Sequence, residues 1–93
     1  MPSVPSNGIA TGQTAMTASA VQIVNARGDR KRLTLVMGGA TPADTFIGVA
    51  GVAAGTGVLL TGVKGTALVL ETTAAVFGIG AATATISYIE EYA

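Results

Sequence analysis

Apolar residues in this chain alternate with small or polar ones, and that two-residue period restricts which backbone can use them. A strand sends successive side chains to opposite faces, whereas a helix needs apolar positions three and four apart. Residues 83–91 set Ala84, Ile86 and Tyr88 on one face and Thr85, Ser87 and Ile89 on the other. Residues 32–37 align Leu33, Leu35 and Met37 in the same way. Shorter stretches of this kind are 20–24, with Val21 and Ile23 aligned, 45–49, 58–60, 66–72, with Leu68 and Leu70 aligned, and 75–79. Turn formers separate them, among them Asn25, Gly28 and Asp29, then Gly38, Gly39 and Pro42. About six to eight short strands between glycine turns predict an all-β fold, a small antiparallel β-sandwich or barrel. No capped helical stripe competes with that reading.

Residues 1–17 lack the alternation and are rich in Pro, Ser, Gly, Thr and Ala. They read as an extended N-terminal arm, leaving residues 18–93 as the β-sandwich domain. Termini of this composition become ordered only when something ties them down, and a neighbouring subunit is the expected holder.

A domain of 93 residues has a marginal core. Aromatic residues are 4 % of this one, so Val, Ile, Leu, Ala and Thr must fill it. Apolar residues make up 49 % of the chain and charged ones 11 %, against roughly 25 % charged in an average soluble domain. So short a chain cannot hide that much apolar surface by folding alone. The excess belongs at contacts between proteins or in a membrane. Residues 46–63 and 72–89 are each uncharged and near bilayer-spanning length, so a small glycine-rich membrane protein is one alternative. Against it, the first run is rich in glycine, the second alternates Thr and Ser with apolar residues, and no aromatic belt flanks either. No membrane partner is expected.

Histidine and cysteine are both absent, which removes the commonest general base, the thiol nucleophile and the ligands of zinc sites. The carboxylates are Asp29, Asp44, Glu71, Glu90 and Glu91. Glu90 and Glu91 adjoin, so on a strand they face opposite ways and read as a solvated or interfacial strand end rather than a catalytic pair. No acidic loop has calcium-site spacing. Neither enzymatic activity nor a cofactor is expected. Gly57, Gly62, Lys64 and Thr66 superficially resemble a phosphate-binding loop, but Val63 and Gly65 break the required spacing, and a glycine-bearing hairpin explains them better. Arg27, Gly28 and Asp29 spell an adhesion tripeptide where turn chemistry alone accounts for the sequence.

One basic cluster, Arg27, Arg30, Lys31 and Arg32, holds four of the five cationic residues. The formal net charge is zero and no aromatics interleave with the cluster, so nucleic acid is not the expected partner. Docking against an acidic protein surface is, and these four residues are the candidate partner-binding set.

Several pieces recur in this order in small tailed-bacteriophage structural proteins: Arg32-Leu-Thr-Leu-Val36, Asp44-Thr-Phe-Ile-Gly48, Gly51-Val52, Gly57-Val-Leu-Leu60, Thr72-Thr-Ala-Ala-Val-Phe77 and Thr83-Ala-Thr-Ile-Ser-Tyr-Ile-Glu-Glu91. From about Ala20 onward the chain resembles the β-sandwich modules of capsid decoration proteins and of head- or tail-fibre bases. The resemblance implies a non-catalytic virion component, a homotrimer assembled in the host bacterial cytoplasm. Lacking long fibre repeats, the chain fits a capsid decoration (cement) protein on the head surface, bound to the major capsid protein or another virion protein. A tail or head-fibre base or adaptor protein is the alternative.

Overall fold

The computed structural model describes residues 8–93. Eight strands follow one another: β1 (Gly8–Ala15), β2 (Val21–Val24), β3 (Arg30–Gly38), β4 (Thr45–Gly48), β5 (Val58–Leu60), β6 (Ala67–Leu70), β7 (Val76–Ile79) and β8 (Thr85–Tyr92). They form two four-stranded sheets, ordered β1-β8-β3-β6 and β2-β7-β4-β5. Every pairing is antiparallel. The sheets remain separate rather than closing into a barrel, which decides between the two all-β architectures that the alternation allows. Among the described residues no helix is long and apolar enough to cross a membrane. Residues 46–63 instead run through β4 and β5, and residues 72–89 through β7 into β8.

The core lies between the sheets. Leu33, Leu35 and Met37 of β3 and Ile86 of β8 meet Ile23 and Val24 of β2, Ile47 of β4, Leu60 of β5 and Val76 of β7. These are the inward positions that the alternation marks in 32–37 and 83–91. Each aliphatic side chain so buried stabilises the fold by roughly 1.5–3 kcal/mol before conformational entropy is set against it.

The N-terminal segment corrects the expected boundary at residue 17. Gly8–Ala15 is the edge strand of the first sheet, paired along its length with β8 from Gly8↔Tyr92 to Ala15↔Thr85. The following Met16 is fully buried, its N–H donating to Ala84 O at 2.9 Å. What holds this segment is therefore β8 of the same chain. Its inward residues are Gly8, Ala10, Gly12 and Thr14, all small, because the opposing strand supplies the bulk. Tyr92 lies over Gly8 and Tyr88 over Gly12, where an added Cβ would come within 2.7 Å of the Tyr88 ring. A strand whose inner face is filled by its neighbour's tyrosines carries no apolar alternation of its own. The rest of the expected arm, residues 1–7, lies outside the described residues.

Chain neighbours are seldom sheet neighbours here. Only β4 and β5 form a hairpin, while every other consecutive pair of strands changes sheet. The turn at residues 25–29 is thus a corner between sheets. So is the expected glycine hairpin before residue 66, which carries the chain from β5 to β6. In it Thr66 N–H donates to Val63 O at 3.0 Å, and Gly65 holds φ +90°, which the third position of a type II turn requires. Gly65 N–H then donates to Met37 O and Met37 N–H to Thr66 O, a glycine-first bulge that starts β6.

Candidate functional site

The basic cluster spans the corner into β3, and a bulge there sorts its members. Arg30 pairs with Tyr92 and Arg32 with Glu91, so Lys31 is an extra residue without an opposite number. Below the bulge, Leu33 lies opposite Glu90 on the inward face. Strict alternation continued upward from Leu33 would turn Lys31 inward and Arg30 outward. The extra residue reverses this and sends Arg30 between the sheets.

There the Arg30 side chain is 0 % exposed. Its Nε donates to Glu90 Oε1 at 2.9 Å, and one terminal nitrogen donates to Thr72 O at 2.9 Å and Ala74 O at 2.8 Å. The other terminal nitrogen reaches Glu90 Oε1 at 2.8 Å and Asn25 O. A guanidinium carries five N–H groups in a fixed fork, and here four hydrogen bonds and an ion-pair contact surround it. Arg30 thereby joins the β2–β3 corner, the β6–β7 connection and β8, closing one end of the sandwich.

Arg30 is therefore not part of a docking patch, which corrects its place in the partner-binding set. Glu90 is likewise buried rather than a solvated strand end, while Glu91 faces the other way and is partly exposed, 3.8 Å from Arg32. Arg27 is partly committed too, its guanidinium 4.0 Å above the Tyr92 ring centre and 3.7 Å from Glu90 Oε1. Such engagement also weakens the adhesion reading of Arg27, Gly28 and Asp29. Lys31 and Arg32 are exposed, Arg32 beside Glu91, so these two are the members of the cluster that face outward, where docking would use them. Beside the clamp, Ala10, Asn25, Tyr88 and Glu90 line a hollow of about 410 Å³, whose charged groups already satisfy one another. Among the described residues no three acidic side chains converge as metal ligands would.

A second surface has no counterpart in the motifs. On the flank where β5 and β6 form the sheet edges, the sandwich is open. Val58 shares the inward face with Leu60, yet it is 60 % exposed while Leu60 is buried. Across from it Leu68 and Leu70 of β6 complete a cleft of about 300 Å³ whose one polar lining residue is Thr72. Val49, Leu59, Val63 and Val69 are exposed in the surrounding strands and turns. Excess apolar content foretells such a surface, but nothing in the linear pattern distinguishes Val58, which lies at a sheet edge, from Leu60, which lies over the core.

No family model matches the chain, and no curated protein or solved structure is significantly similar to it. The ordered motifs and the surfaces above are what bear on function.

Proposed function

We propose that this chain is a structural component of a tailed-bacteriophage virion: a capsid decoration protein that self-associates and stabilises the head by binding the major capsid protein lattice. The observation that carries the reading is the open apolar flank. Val49, Val58, Leu59, Val63 and Val69 stay exposed in a chain with few charges, and a protein with that surface gains by covering it with another protein. The ordered strand motifs support the virion setting. The outward-facing Lys31 and Arg32 suit an acidic contact that orients the subunit as it docks. The chain acts through surface burial and not through chemistry, in keeping with a sequence without histidine or cysteine.

Phage heads assembled with and without this chain provide the test. Added protein should co-sediment with the deficient heads and raise the temperature at which they release DNA. Reversing charge at Lys31 and Arg32 together should lower occupancy at moderate salt. Protein that ignores heads, or that fractionates with tails alone, would overturn the decoration role, and the second result would assign it to a tail or fibre base.

A further inference from the structure

We infer that the open flank is closed by the same flank of a second copy, with β6 of one chain pairing antiparallel with β6 of the other about a two-fold axis. This rests on the self-association proposed above and not on attachment to a virion.

Three observations carry it. First, β6 is an apolar, uncharged edge. An edge strand leaves half its backbone N–H and C=O groups pointing outward, and proteins blunt such edges with charge, proline, bulges or brevity. The β5 edge has three residues, β2 has a register shift, and β1, the longest edge at eight residues, turns the polar Thr11 and Gln13 outward beside Ile9. Ala67–Leu70 is short, at four residues, and follows the bulge at Gly65, but it carries no charge or proline and is apolar on both faces.

Second, the cleft beside β6 is part of the space between the sheets, not a surface dent. Val58 points into it and remains exposed because the sandwich stops there. Its walls contain no charged residue, so an occupant of the same apolar chemistry fits, and the copy's own flank has that chemistry.

Third, the charges at the ends of β6 select the geometry. Lys64 precedes the strand and Glu71 follows it; both are exposed, and among the described residues neither forms an ion pair. Antiparallel pairing of two identical strands sets the start of each beside the end of the other, so Lys64 of each copy approaches Glu71 of its mate. Parallel pairing would set like charge on like. Head-to-tail pairing of β6 with β1, which could close a ring, offers Gly8–Ala15, with no charge to answer either residue. A two-fold contact is self-complementary and makes a dimer, in place of the trimer that the virion resemblance implies. The two β1-β8-β3-β6 sheets would become one continuous sheet.

Sedimentation of the full chain, alone and with Lys64→Glu or Glu71→Lys, tests this, with far-UV circular dichroism to show that each variant keeps its β fold. The parent chain should be a dimer. Each reversal creates two like-charge contacts and should weaken dimerisation about tenfold or more. An equimolar mixture of the two variants should recover the dimer, because both contacts then join opposite charges. A monomeric or trimeric parent, reversals without effect, or a mixture that fails to recover would each overturn the inference. Head binding by a monomeric parent would leave the virion reading intact while removing this one. A dimer that ignores heads would do the reverse.

Discussion

Replacing Arg30 with alanine separates a structural arginine from the interaction residue that its neighbours suggest. The change removes five contacts at once: two to Glu90 Oε1 and one each to the carbonyls of Thr72, Ala74 and Asn25. It leaves Glu90 buried with Arg27, at 3.7 Å, as its remaining cationic neighbour. Breaking a buried ion pair from one side destabilises by about 3–5 kcal/mol, because the surviving charge loses its compensation. A chain of 93 residues has roughly 5–14 kcal/mol of stability in all. Arg30→Ala should therefore remove a large share of it and lower Tm by roughly 12–40 °C. Arg30→Lys keeps the charge but offers three donors where five acceptor contacts exist, so at least about 1–3 kcal/mol should still be lost. Lys31→Ala next door should stay within about 0.5 kcal/mol of the parent. Urea unfolding followed by tyrosine fluorescence and circular dichroism, at one protein concentration so that self-association is held constant, reads these differences as shifts in midpoint at unchanged slope. An Arg30→Ala protein within about 1 kcal/mol of the parent, or a Lys31→Ala loss of equal size, would refute the buried clamp and the bulge that creates it.

Two further outcomes follow from the first strand. Removing residues 1–17 takes away β1 and the buried Met16 and should abolish cooperative unfolding in urea. Gly12→Ala places a methyl group where the Tyr88 ring sits, 2.7 Å from the new Cβ, and should cost about 1–3 kcal/mol with a change in tyrosine fluorescence; an unchanged midpoint and spectrum would mean that the ring does not cover the strand.

Most of the strand pattern was legible in the linear order of residues, because side chains in a strand alternate whatever the strand pairs with. Leu33, Leu35, Met37, Ala84 and Ile86 sit inward as their spacing requires, and glycine and proline mark the breaks between elements. The segment from Gly8 to Ala15 could not be seen this way, since its inner face is filled from the opposite strand by Tyr88 and Tyr92. The basic cluster likewise reads as one patch in sequence. A single extra residue at Lys31 changes which side chain faces inward, and a bulge shows only against the partner strand that reveals it.

Taken alone, the order of amino acids determined an all-β chain with little charge, turns at its glycines and more apolar surface than it can bury, since these follow from composition and local stereochemistry. Sheet membership, the burial of Arg30 against Glu90 and the exposure of Val58 were decided by tertiary structure. They depend on which strands, far apart in the chain as Gly8 and Tyr92 are, come to lie side by side, and alternation marks two faces of a strand without saying what will cover either.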